Sequence, residues 1–157
     1  NFLLKEIWPL IKKKLPEAKL LVVGRDPTRE ILQFNGKNDV EIKSGVEDIR
    51  SVYAVADVLI APVRNGKGTK YKVLEAMATR TPIVGTALAV GGLDIKDGVH
   101  ALTGNTAAEL AEQTVKVLKD KKLAQSIAKN AYELAGKEYS WNKVVKKIND
   151  VYEEMSK

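Results

Sequence analysis

The chain has 157 residues, 45% of them hydrophobic and 29% charged, a length and apolar share that suit one domain with a real core. The absence of cysteine excludes thiol catalysis, disulfides and Cys/His zinc sites, and a catalytic triad would have to use His100, which has no G-x-S-x-G elbow to accompany it. A net charge of +6 fits an acidic partner and a solvated lysine-rich surface equally well, so charge alone decides nothing.

No signal-peptide pattern opens the chain. Residues 2–15 carry apolar positions at Leu3, Ile7, Leu10 and Ile11, a helical stripe with lysines on the opposite side, and Pro16 ends it. A helix starting at Asn1, which is not a methionine, has no room for a cap, and the chain reads as a fragment of a longer protein. Residues 18–23 are nearly all apolar and close on Gly24, as expected of a strand buried on both faces. Asp26 and Pro27 offer an N-cap and a first helical residue for a short helix holding Ile31 and Leu32. The alternation over 40–43 predicts a second strand, and Ile49, Val52, Tyr53 and Ala56 follow at helical spacing.

Residues 57–61 form the third predicted strand, closed by Pro62. A helix is expected over 69–79 with Leu74, Met77 and Ala78 inward, then a strand over 82–85 and a Gly-rich loop through Gly91 and Gly92. A short strand over 99–102 precedes three helices centred on 110–118, 123–134 and 141–152, the last capped by Ser140. No apolar stretch approaches the roughly 18 residues of a membrane span. The aromatic share, 6%, is low for a nucleic-acid stacking platform, and the lysines are scattered over several helices.

Strands alternating with helices predict an α/β fold: a doubly wound, mostly parallel Rossmann-like sheet with helices on both faces, in one domain over 1–157. Ligands of such folds bind at the carboxyl ends of the strands, which here means the loops 24–27, 45–48, 62–70 and 86–94. The richest is 62–70. It runs through Gly66, Lys67, Gly68, Thr69 and Lys70 into Tyr71 and the next helix. Glycines at a helix N-terminus make either an anion site on free amides or only a turn. It is not a Walker A loop, since Gly66-Lys67 is followed by Gly68, and no G-x-G-x-x-G follows the first strand. Glu75, inside this helix, reads either as a solvated residue or as a ligand for hydroxyls. Trp8 and Trp141 read as core or helix-packing residues, and His100 as a residue packed or hydrogen-bonded near a strand end.

The run from Lys70 through Glu75 to Ala78, followed by Pro82-Ile-Val, resembles the signature of the family 4 (group 1) retaining glycosyltransferases. Pro16 to Arg25, Gly45 to Ile49, residues 57–62, Asp97-Gly98 and Tyr139-Ser-Trp141 are similar to elements of that family in the same order. The resemblance spans nearly the whole chain and implies the C-terminal, donor-binding half of a GT-B fold. It implies that Glu75 accepts hydrogen bonds from the donor's ribose hydroxyls and that the amides of Thr69, Lys70 and Tyr71 hold the diphosphate. Gly24 and Arg25 would lie against phosphates or sugar, and Val46 would offer backbone contacts to the base. The reaction implied is retaining transfer of a hexose from a nucleoside diphosphate sugar to a polysaccharide, lipid-linked or other acceptor, with no metal and no cofactor beyond the donor substrate.

The resemblance also implies an N-terminal acceptor domain upstream of Asn1, a cytoplasmic location, and peripheral membrane association of the parent enzyme where the acceptor is a lipid. The scattered lysines and the low aromatic share argue against a nucleic-acid partner. The catalytic residue is not assigned, and the chain alone is expected to be inactive. Two features depart from the family pattern: Lys67 stands where a glutamate usually contacts the sugar, and Arg80-Thr81 where a glycine commonly ends the helix. The alternatives are a sugar-nucleotide epimerase of the same fold and a non-catalytic nucleotide-binding or interaction module.

Overall fold

The computed structural model describes residues 1–66, 68 and 70–155, and of residue 147 only the backbone. A π-helical turn at Leu3–Ile7 leads into α1 (Trp8–Lys14), which stops two residues before Pro16. The strands are β1 (Leu20–Gly24), β2 (Val40–Ser44), β3 (Leu59–Ala61), β4 (Ile83–Gly85) and β5 (Leu102–Thr103). Between and after them come α2 (Arg29–Leu32), α3 (Ile49–Val55), α4 (Tyr71–Ala78), α5 (Ala87–Val90), α6 (Ala107–Lys119), α7 (Lys121–Glu138) and α8 (Trp141–Met155).

All the strand pairs are parallel, as helix crossovers between successive strands require. They form two ladders, β1-β2 and β3-β4-β5, and no ladder joins β1 to β3 among the described residues. The strands nevertheless share a core. Leu20, Val40, Val84 and Leu102 pack with Ile7, Ile11, Leu110 and Ile127 on one face. On the other face Ile83 and Ala61 pack with Val73, Ala76 and Met77 of α4, Tyr53 of α3 and Ala131 of α7. Ile83 and Val84 are consecutive in β4 and fully buried, yet they enter different cores because a strand alternates its side chains. This is the doubly wound arrangement the sequence predicts.

Several local expectations shift. The first strand is not buried on both faces throughout: Leu20 is buried, but Leu21, Val22 and Val23 are half-buried. Asp26 does not cap α2, because its backbone is left-handed (φ 49°) and the helix starts after Thr28. In α4 the inward residues are Val73, Ala76 and Met77, while Leu74 is half-buried and Ala78 exposed. The Gly-rich loop contains a helix, α5, that periodicity did not reveal. The last strand begins later than expected, and an isolated bridge between Asp97 and Ala101 occupies part of the predicted span.

At the end of α4, Arg80 takes the left-handed position (φ 56°) usually given to glycine. The amide of Thr81 bonds to the Ala76 carbonyl (2.9 Å) and that of Arg80 to Met77 (3.2 Å), closing a Schellman turn. The Arg80 guanidinium lies 4.2 Å from the ring centroid of Tyr132, a contact that offsets part of the backbone strain.

Trp8 is buried, and its indole donates to the Asn38 carbonyl at 2.8 Å. Trp141 is not a core residue: it is 82% exposed, and Val145, Ile148, Val151 and Met155 of the same stripe also face outward. No helix among the described residues is long and apolar enough to cross a membrane. His100 hydrogen-bonds as expected, its Nδ1 accepting from the Lys96 amide at 3.0 Å.

Two predictions follow from this packing. Met77→Ala should cost about 2–5 kcal/mol in urea unfolding, whereas Trp141→Ala should cost under about 1 kcal/mol. Burial first, and then the Lys96 charge, hold His100 below its ordinary 6.5. On acidification the unfolded chain therefore takes up this proton first, and the His100 contribution is complete above pH 6.5 and is lost as pH falls through the lower folded value. Stability measured from pH 7.5 downward should fall less steeply in His100→Asn, whose amide oxygen can replace Nδ1 as acceptor.

Candidate functional site

The loops after β3 and β4 meet at the carboxyl end of the sheet. Thr86, buried at the end of β4, holds them together. Its hydroxyl donates to the Val63 carbonyl (2.5 Å) and accepts from the Ala89 amide (3.1 Å), while its own amide bonds to the Ala61 carbonyl (3.2 Å). One side chain thus caps α5 and joins the root of one loop to that of the other.

The second loop is fixed again further along. The Asn105 side chain accepts from the Ala87 amide at 3.2 Å. The Tyr139 hydroxyl, at the end of α7, accepts from the Asp94 amide (2.7 Å) and donates to the Asp94 carboxylate (3.3 Å). Between these ties Gly91 and Gly92 are exposed, with Gly92 left-handed at φ 82°.

Between the loops lies an open cleft of about 420 Å³, lined by Gly66, Gly68 and Lys70 on one side and by Leu88, Gly91, Gly92 and Leu93 on the other. Its size falls in the ordinary range for small-ligand sites. Gly66 has φ 125°, a conformation that a side chain would resist, and the two described glycines of this wall leave backbone in place of side chains at the cleft. The floor opens on the start of α4. Lys70 stands at its N-cap position without a side-chain cap, and the first amides bonded back are those of Val73 and Leu74, to the Lys70 carbonyl at 2.9 and 3.1 Å. The amides of Tyr71 and Lys72 therefore have no acceptor within the helix, and the positive end of its dipole faces the cleft.

The sequence-predicted residues divide into four groups. Gly66, Gly68 and Lys70 line the cleft, with Tyr71 beside them at the first helical turn and exposed. Gly24 and Arg25, exposed at the end of β1, and Val46, half-buried before α3, do not line it. Lys67 and Thr69 lie outside the described residues. Glu75 stands apart from the cleft lining, on the flank of α4 that faces α3, where its Oε2 accepts from the Tyr53 hydroxyl at 3.1 Å.

Sequence reasoning did not single out Leu88, Leu93, Thr86 or the Tyr53 hydroxyl. Thr86 could have been found as a Thr placed three residues before Ala89 at the start of a short Ala-rich run, an N-cap pattern. Thr86→Val should cost about 1–3 kcal/mol, because it removes a cap and leaves the Val63 carbonyl without this donor. It should also weaken any ligand of the cleft by loosening both walls.

Comparison with known proteins shows the family and the fold. The sequence pattern of the family described as "Glycosyl transferases group 1" matches residues 1–120. The chain is 28% identical over 155 residues to the phosphatidyl-myo-inositol mannosyltransferase of Mycobacterium leprae, a match covering 92% of this chain and 40% of that protein. It superposes on the C-terminal domain of a group 1 glycosyl transferase from Francisella tularensis with TM-score 0.72 at 22% identity, covering 86% of this chain and 77% of that one. An Anabaena protein crystallised with UDP and glucose gives TM-score 0.79 at 18% identity, covering 94% of this chain and 44% of that one. The chain thus spans well under half the length of the mycobacterial relative and of the Anabaena protein. By its sequence over residues 1–120 and its fold over most of its length, the chain belongs to the group 1 glycosyl transferases.

Proposed function

We propose that this chain is the donor-binding domain of a two-domain retaining glycosyltransferase that moves a hexose from a nucleoside diphosphate sugar. The observation that carries the reading is the cleft between the loops 62–70 and 86–94, with the uncapped N-terminus of α4 at its floor. A diphosphate suits that floor: the amides at the start of α4 donate, the helix dipole is favourable, and Lys70 adds a full charge. In this reading the amides of Thr69, Lys70 and Tyr71 hold the diphosphate, with Lys67 beside them. Glu75 receives the ribose hydroxyls, Val46 meets the base, and Gly24 and Arg25 approach phosphates or sugar from the end of β1.

The chemistry asked of this half is electrostatic. As the bond to the sugar breaks, negative charge grows on the leaving diphosphate, and fixed amide donors and lysines stabilise it without a metal. The Leu88–Leu93 wall, with Gly91 and Gly92 at its edge, would close over the sugar. The acceptor, and the groups that aid attack at the anomeric carbon, belong to the other half of the parent protein, so this half alone binds donor without turning it over. The mycobacterial relative is named a phosphatidyl-myo-inositol mannosyltransferase, which supports a lipid-linked acceptor. The Anabaena neighbour was crystallised with UDP, which makes uracil the first base to test.

Ligand-observed NMR against UDP, GDP, ADP and NAD checks this directly. One nucleoside diphosphate should bind selectively, NAD should not, and Glu75→Ala should weaken the binding by about tenfold, the scale of a lost hydrogen bond to a charged group. Unselective binding, or affinity unchanged by Glu75→Ala, would count against a donor site built around this residue.

A further inference from the structure

Glu75 carries a carboxylate on an exposed flank of a helix, and no Lys or Arg among the described residues forms an ion pair with it. Its described partner is a neutral phenol from another element. Tyr53 projects from α3, is 8% exposed, and belongs to the buried cluster that includes Ala61, Val73, Met77 and Ile83. Its hydroxyl reaches α4 at two points, the Lys72 carbonyl (3.0 Å) and Glu75 Oε2 (3.1 Å). A phenol has one proton, so it is shared between these two acceptors. The backbone of Tyr53 is fixed as well, since the buried Thr81 hydroxyl donates to its carbonyl at 3.4 Å. The donor therefore stands on a part of α3 that is immobilised by the core.

We propose that Tyr53 is a positioning residue for the donor site: it holds the Glu75 carboxylate through Oε2 in the orientation that presents Oε1 to the two ribose hydroxyls. The inference rests on the donor-domain reading given above. A free glutamate on a helix surface samples many rotamers, and ordering it on binding costs affinity. A phenol fixed in the core removes that cost beforehand and leaves acceptor capacity on the second oxygen, which takes no hydrogen bond from the described residues. A lysine in the same place would neutralise the carboxylate and compete for the lone pairs the hydroxyls need. Burial, then the neighbouring Glu75 charge, push the Tyr53 phenol well above its ordinary range, so it remains a donor throughout neutral and mildly alkaline pH.

A purely structural Tyr53 would only link α3 to α4 through the Lys72 carbonyl. Ribose hydroxyls separate the two roles. Binding of UDP, GDP and ADP, each beside its 2′,3′-dideoxy counterpart, is measured by NMR up to 10 mM for wild type, Tyr53→Phe, Glu75→Ala and the double variant, with a thermal melt of each. Tyr53→Phe keeps the buried ring and removes only the oxygen. It should weaken the ribonucleotide that binds by about 3- to 10-fold and leave the dideoxy form within about twofold. In the Glu75→Ala background the same substitution should have almost no further effect.

Equal weakening of both forms, additive losses in the double variant, or no loss in Tyr53→Phe where Glu75→Ala shows one would overturn the positioning role and leave the donor site standing. Wild type that ignores the ribose hydroxyls, or Glu75→Ala that binds like wild type, would instead sink the assignment of Glu75. No binding of any of the three would sink the donor-domain reading, and this inference with it.

Discussion

The Thr86 hydroxyl, buried between the ends of β3 and β4, is the contact on which the carboxyl end of the sheet depends. It satisfies the Val63 carbonyl in one loop and the Ala89 amide in the other, so neither loop can move at its root without breaking a bond made by a buried side chain. Hydrogen bonds of this kind contribute modestly to stability, but leaving either partner unsatisfied is expensive. That asymmetry ties the root of one wall of the cleft to that of the other. The far end of the second loop is fixed separately by Tyr139 on Asp94, and the glycines between the two anchors are left to approach a ligand.

Beneath this rim the fold supplies rigidity and field. Two cores, divided by the alternation of Ile83 and Val84, grip the sheet from both faces and set the direction in which α4 points. Its N-terminus faces the cleft because a parallel strand followed by a crossover helix returns the chain that way. The amides at the start of α4, its dipole and Lys70 then act in one direction, toward an anion. The same helix carries Glu75 on the flank turned toward α3, so the group suited to phosphate and the group suited to hydroxyls are rigidly related through one short element.

Much of this was legible in the sequence. Long periodic helices such as α6 and α7 announce themselves, and the order of strands and helices gives the fold class. Helix α4 was readable from Gly66, Gly68 and the apolar run after Tyr71, although Lys70, inside the expected span, is its non-helical N-cap. Helix α5 was not, because four residues carry no period and its cap lies in the tertiary contact of Thr86 with Val63. Asp26 failed as a cap because its left-handed backbone places it in the turn before the helix. Trp141 was misread because an amphipathic stripe shows that a helix has an apolar face, not that the face is covered. The pairing of Tyr53 with Glu75 could not be read at all: Glu75 stood out, but Tyr53 looked like an ordinary helix residue until the fold set α3 beside α4.

The central claim is that the nucleoside diphosphate lies across the start of α4 and between the two loops. Amide chemical shifts of this chain, titrated with the nucleoside diphosphate it binds, test it most directly. The account predicts that the largest changes fall on Gly68, Lys70, Tyr71, Gly91 and Gly92, with smaller ones at Glu75 and Val46. Changes concentrated instead in the smaller groove between α1 and α6, around Leu10, Lys13 and Glu112, would contradict it.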